Sequence, residues 1–319
     1  MKQELTTVRA LPEEKGLAEV FLDYAAFLDA SPRTVQTYTG NVRQFLKWTQ
    51  QNGIAHPTRR DVLAYRDELR GRCKPSTVQS YITALRLFFQ WAAQAGLYGN
   101  IAEHIKGAKL DGSHKKDYLN AEQIKDVLAS IDTQTAKGKR DYCIIALMAT
   151  GGLRDVEIAR ANTEDLQPLG GSTVLYLQGK GRDERTEYIK IVPEVERPLR
   201  KYLSLRRIRK KKQPIFTSLS NNNKGQRLTP KSISSIVKGR LVAAGYDSER
   251  LTAHSLRHSA VTLALLGKLP LEEVQQFARH KNISTTQIYA HNLERANNRS
   301  EDTIAKAIFQ NTERQEGST

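Results

Sequence analysis

One pattern constrains this chain more than any other, an internal repeat at an offset of 43 residues: Pro32/Pro75, Thr34/Thr77, Val35/Val78, Gln36/Gln79, Tyr38/Tyr81, Arg43/Arg86, Phe45/Phe88 and Trp48/Trp91. Each copy opens on a proline suited to the first helical position and carries its apolar residues at helical spacing, so one helix design is used twice. Such helices must bury their apolar stripes against other helices. The surrounding sequence supplies them. Leu17, Val20, Phe21, Tyr24 and Leu28 predict a first helix. Ser31 caps a second that stops at Asn52 and Gly53, and Thr58 with Asp61 in the reciprocal capping position opens a third bearing Val62, Tyr65 and Leu69. The fourth runs from Pro75 to Gly96. The outer face of the repeated helices holds Arg33, Gln36, Thr37, Arg43, Ser76, Gln79, Ser80 and Arg86. These side chains suit phosphates and base edges, and they equally suit a solvated bundle surface.

Between Tyr98 and Asp117 the periodicity lapses, which predicts an interdomain linker over 98–117. The remainder is mixed: a helix from Asn120, a buried helix from Arg140 to Thr150, and a short one after Gly152. Two runs rich in β-branched and aromatic residues, Thr173–Leu177 and Glu187–Val192, flank a basic tip and predict a hairpin. Helices resume afterwards, so the fold class expected is mainly α with a small β-sheet (α+β). A formal net charge of +16 and a pI of about 9.8 place a strongly basic surface on a body that is 39% apolar, and such a surface wants a polyanion. Lys201–Lys212 adds seven basic residues in twelve positions, read as a phosphate-facing surface or a solvated helix face. Cys73 and Cys143 have no ligand-like spacing, so neither a disulfide scaffold nor a metal site is expected, and no cofactor is called for. MKQELTT does not read as a signal peptide, and the apolar run Cys143–Ala149 is far short of the ~20 residues that cross a bilayer. A soluble, cytoplasmic protein is expected.

The residues that carry chemistry are sparse and ordered. Arg154 lies in Thr150-Gly-Gly-Leu-Arg-Asp-Val-Glu157, Lys180 at the hairpin tip, His254-Ser-Leu-Arg257-His258 at a helix start, His280 beyond it, and Tyr289 nine residues later. This order resembles the tyrosine recombinase (phage integrase) family, Xer-like and without a separate arm-binding domain. Gly179-Lys-Gly181 and Ala278-Arg-His280 fit as well. The resemblance spans about residues 16–292. It implies an N-terminal SAM-like core-binding domain (1–97), a catalytic domain (118–292) and a C-terminal tail (293–319) exchanged between protomers. It also implies metal-independent cleavage and rejoining of DNA through a 3′-phosphotyrosine on double-stranded core sites, by a homo-oligomer, a tetramer on two sites, with or without accessory proteins. Glu157 would orient its neighbours.

The chemistry independently asks for these residue types. Charge developing on a phosphodiester is best held by preorganised guanidinium forks, the part given to Arg154 and Arg257. Tyr289 is the nucleophile, splitting one displacement into two. Lys180 is the proton donor to the leaving 5′ oxygen, His254 the proton acceptor or phosphate ligand, and His280 a hydrogen-bond donor to phosphate. His258 is expected to point elsewhere and receives no role. Arg33, Gln36, Arg43, Gln79 and Arg86 are the candidate DNA contacts of the N-terminal domain. Two other readings stay open, a type IB topoisomerase-like enzyme and a catalytically inactive DNA-binding protein on the same scaffold. In the tail, Ser300–Phe309 predicts a short helix whose Ile304, Ile308 and Phe309 need a groove, on their own domain or a neighbour's.

Overall fold

The computed structural model describes residues 16–109, 117–178, 187–206, 208, 212–296 and 300–309, and the chain divides into two units, Met1–Gly112 and Ser113–Thr319. In the first, four helices form where capping and periodicity predict them: α1 (Leu17–Phe27), α2 (Pro32–Gln51), α3 (Arg59–Arg72) and α4 (Pro75–Gln94). The Ser31 hydroxyl accepts the Thr34 N–H at 3.3 Å, and Asp61 accepts the Thr58 N–H at 2.7 Å, so the second and third helices start on satisfied donors. The repeated apolar positions meet in one core, with Tyr24, Phe45, Tyr65, Val78, Ile82 and Leu85 almost wholly buried. Tyr24 donates its hydroxyl to Ala84 O at 3.1 Å, as a buried phenol must. The segment expected to be a linker begins inside this core. Ala102 and Ile105 are buried in it, and Tyr98 donates to Pro57 O at 2.8 Å.

In the second unit, α5 (Ala121–Ala129) leads to α6 (Ala136–Gly151), whose Cys143–Met148 stretch is buried on every side. A helix apolar all round has to be central. After α7 (Asp155–Arg160) come three antiparallel strands in the order β1 (Leu166–Leu169), β2 (Ser172–Leu177) and β3 (Glu187–Ile191). The β2–β3 register sets Leu175 opposite Ile189, both in the core. The hairpin tip from 179 to 186 lies outside the described residues, and Lys180 with it. Strand β1 is an addition to the sequence reading. It joins β2 through Gly170 and Gly171, whose φ values of 54° and 75° are what a two-residue hairpin turn demands. The rest is helical: α8 (Pro193–Ser204), α9 (Pro230–Ala243), α10 (Ala253–Leu266), α11 (Leu271–Ala278), α12 (Ile283–Ala296) and α13 (Ser300–Phe309). Among the described residues, no helix is long and apolar enough to cross a membrane.

Candidate active site

The site grows from the abrupt end of α6. Gly152 takes the left-handed conformation (φ 58°) that stops a helix, and two residues later Arg154 caps α7. Its backbone N–H donates to Glu157 Oε2 at 2.8 Å and its Nη1 to Oε1 at 2.7 Å. The carboxylate is therefore gripped from two sides while the Arg154 side chain stays 30% exposed. Burial works to raise the pKa of Glu157. The charge of Arg279, the Arg154 N–H and the Arg154 guanidinium outweigh it, so the carboxyl is held below the usual glutamate range.

Helix α10 brings the next three groups. Arg257 is 2% exposed and donates from Nη1 to Gly152 O at 2.5 Å and from Nη2 to Ala278 O. Burial, then the nearby Arg154 and Arg279, weaken its hold on the proton, with Glu157 opposing. A guanidinium remains charged at neutral pH even so. His254 is exposed at the helix start, and His258 follows at i+4, so both rings lie on one face with centroids 4.4 Å apart. This overturns the expectation that His258 points elsewhere. Its Nδ1 is hydrogen-bonded to the Tyr289 hydroxyl, and the two rings are 5.1 Å apart.

Tyr289, on α12, is 7% exposed and packed against Val261, Val274 and Ala278. Burial pushes its hydroxyl up to about 12, against the pull of Arg257 and Arg154. His280 follows the left-handed C-terminus of α11, its ring stacked 6.2 Å from that of Tyr289. Its Nδ1 is 2.9 Å from the buried Thr286 hydroxyl. Burial first, then Arg257, Arg154, Arg279 and His254, push its pKa down to about 4, so it is a neutral imidazole at pH 7. Five of the six residues singled out from sequence thus converge: Arg154, His254, Arg257, His280 and Tyr289. Sequence reasoning missed two groups that touch them, His258 and Arg279, although the i, i+4 spacing of His254 and His258 was a readable signal.

The basic features elsewhere are less uniform than their sequence suggests. On the N-terminal unit, Arg33, Gln36, Arg43 and Arg86 are exposed, and the Arg43 guanidinium lies 4.6 Å above the Phe21 ring, which fixes its stem while leaving it at the surface. Gln79 differs. It is half-buried, its amide packed against the backbone of Gly107, where a Cβ would overlap Gln79 Oε1 and the glutamine would have to move. In the run from Lys201 to Lys212, Arg206 turns inward and donates to Pro214 O and Ile215 O, so it staples a loop rather than facing solvent.

Residues 117–295 match the phage integrase family, and residues 17–97 match the phage integrase N-terminal SAM-like domain. A tyrosine recombinase of Synechococcus elongatus is 32% identical over 190 residues, which is 59% of this chain and 58% of that protein. The chain therefore spans less than two thirds of the length of that relative. A crystal structure of the XerH site-specific recombinase bound to palindromic difH substrate superposes with a TM-score of 0.70 at 22% identity, covering 88% of this chain and 83% of that one. A lambda integrase tetramer bound to a Holliday junction gives 0.63 at 15% identity, covering 87% and 78%. Those likenesses are of fold. With both of its parts matched in order and the larger match covering more than half of its length, the chain belongs to the phage integrase family.

Proposed function

We propose that the chain is a site-specific DNA recombinase that cleaves and rejoins duplex DNA through a 3′-phosphotyrosine. The observation that carries this reading is that Tyr289 meets the histidines of the site, its hydroxyl bonded to His258 Nδ1 and its ring stacked 6.2 Å from that of His280, with Arg154 and Arg257 near enough to favour its ionised form. The same pair of guanidiniums suits a phosphodiester whose nonbridging oxygens gain charge as it is attacked. The Tyr289 oxygen bonds to phosphorus, the bond from phosphorus to the 5′ oxygen breaks, and Lys180 gives that oxygen its proton. The tyrosine proton leaves to an imidazole, His258 being the one in contact with the hydroxyl and His254 its neighbour. Neutral His280 donates a hydrogen bond to a nonbridging oxygen. The reverse sequence, with a different 5′-hydroxyl attacking, rejoins the strand, so bond energy is conserved without a metal or cofactor.

The N-terminal unit is assigned to the core site, with Arg33, Gln36, Arg43 and Arg86 at its exposed face. Assembly as a tetramer on two sites is supported by the likeness to the lambda integrase tetramer and by α13, which presents Ile304, Ile308 and Phe309 at 57%, 58% and 69% exposure. A helix of ten residues that exposes its own apolar stripe is marginal unless something covers it, and a groove on a second copy is the occupant this reading assigns.

The test is a nicked suicide duplex, built on the core sequence that the protein selects from a randomised duplex pool. Wild type should trap a covalent adduct that Tyr289→Phe cannot form. Tight sequence-selective binding with no adduct from wild type would favour an inactive DNA-binding scaffold instead, and an undiminished adduct in Tyr289→Phe would remove that residue as nucleophile.

A further inference from the structure

Arg279 takes no part in the reaction above, yet it is held tightly at the site. It sits immediately before His280 at φ 53°, in the left-handed region that costs a residue with a Cβ free energy and that glycine enters without penalty. Its side chain is 5% exposed. Its Nε is buried with no hydrogen-bond partner. A glycine here would avoid the backbone strain, the orphaned donor and the buried charge together, so stability alone does not account for an arginine.

What the arginine does touch is specific. Its Nη1 donates to Phe277 O at 2.7 Å and its Nη2 to Gly152 O at 2.9 Å, and Nη2 also lies 3.3 Å from Glu157 Oε2. Gly152 O is the same carbonyl that accepts from Arg257. Glu157 is the same carboxylate that pairs with Arg154. The carbonyl of Arg279 itself is 3.4 Å from Arg154 Nη2. Apart from the local bond to Phe277 O, the contacts of this residue thus run through Gly152 O and Glu157, each of which also holds a guanidinium assigned to the phosphate, and its own guanidinium is spent on those partners.

We propose that Arg279 is a positioning residue for strand cleavage: through Glu157 and the Gly152 carbonyl it sets the spacing and orientation of Arg154 and Arg257, and it is not itself a phosphate ligand. Without it, the Glu157 carboxylate keeps one arginine and is free to turn, and the Gly152 carbonyl keeps Arg257 but loses the second guanidinium that fixes its direction. The inference rests on the recombinase reading and deepens it.

The test uses Arg279→Gly and Arg279→Asn, the two replacements that accept a left-handed backbone, in the full chain. Adduct formation on the nicked duplex at saturating protein and affinity for the intact duplex are measured side by side, with a thermal melt of each variant. The expected result is a cooperative melt above the assay temperature, affinity within about threefold of wild type, and adduct formation slower by about 10- to 100-fold, the scale of loss when reacting groups are misplaced by about an ångström. Cleavage at the wild-type rate in the glycine variant would overturn the inference. So would binding that falls in step with cleavage, or failure of both variants to fold, since either makes Arg279 an ordinary structural residue. A wild-type protein that forms no adduct at all overturns the recombinase reading itself, and this inference with it, and that outcome shows in the wild-type reaction alone.

Discussion

Glu157→Gln removes the carboxylate that pairs with both Arg154 and Arg279, and its cost follows from the geometry. The Glu157 side chain is 1% exposed, with Arg154 at 2.7 Å and Arg279, itself 5% exposed, at 3.3 Å. Removing one partner from a fully buried ion pair costs roughly 3–5 kcal/mol, because the remaining charge stays desolvated. Two features reduce that here. Arg154 is 30% exposed and can rehydrate, and the glutamine oxygen can still accept the Arg154 N–H. A loss of about 2–3 kcal/mol results, and at about 2–4 °C per kcal/mol for a unit of this size the melting temperature of the C-terminal part falls by roughly 4–12 °C.

The pH dependence has a definite sign. The folded carboxyl is held below its unfolded value, so its stabilisation is complete above the ordinary glutamate pKa and is lost as pH falls through the depressed one. The gap between wild type and Glu157→Gln should therefore be widest at pH 7 and narrow steadily below about pH 4.3. Thermal melts of both proteins from pH 7 downward check this. A variant within about 0.5 kcal/mol of wild type at pH 7, or a gap that widens on acidification, would refute the argument that Glu157 is the counter-charge of the site.

Three other substitutions probe the same structure. Gly152→Ala places a Cβ at φ 58° and 3.3 Å from the Phe277 ring, beneath the carbonyl that Arg257 and Arg279 share; we expect a loss of about 1–3 kcal/mol in a denaturant titration, together with slower adduct formation. For His280, burial lowers the folded pKa to about 4, so stability falls as pH drops from the unfolded value near 6.5 toward 4; His280→Asn should flatten that part of the pH–stability curve. Ile304→Asp with Ile308→Asp should leave the melt and single-site binding unchanged, because both residues are exposed, and should deplete the paired-site complex on native gels. Normal synapsis by that double variant would make α13 a helix without an assembly role.

Legibility in the sequence tracked how local the determining physics is. The four N-terminal helices were readable to within a few residues because their caps and stripes are local, and α6 because seven consecutive apolar residues cannot face water. Strand β1 was missed for a different reason. Four residues that include Pro168 show no alternation, and only the Gly170-Gly171 pair pointed to a hairpin. The burial of Ala102 and Ile105 was invisible because two apolar residues in an irregular segment have no period, and their place in the core is decided by the helices they meet. Of the site, five of the six residues the chemistry names converge in space, and Lys180 lies outside the described residues. Arg279 was not legible, since its role depends on a left-handed turn and on carbonyls from a segment more than 120 residues away.

His258 shows what the missed neighbours add. Tyr289 is buried, its hydroxyl is pushed up to about 12, and His258 holds it by a hydrogen bond within a small apolar cluster of α10, α11 and α12. A phenol in that state is a poor nucleophile, and on the proposed reading attack on a phosphate requires it to leave the cluster or lose its proton where it stands. The second route is open because the hydrogen-bond partner is an imidazole and two guanidiniums stabilise the phenolate. The first involves α12, which carries Tyr289 and precedes α13, where Ile304, Ile308 and Phe309 are exposed. On the proposed reading, covering those residues with a second copy pulls on the helix that carries the nucleophile, and His258 is the contact that resists. Weakening that contact should then loosen the dependence of cleavage on assembly without touching the arginines that hold the phosphate. On the proposed reading, then, His258 takes part in the timing of the reaction through its contact with Tyr289.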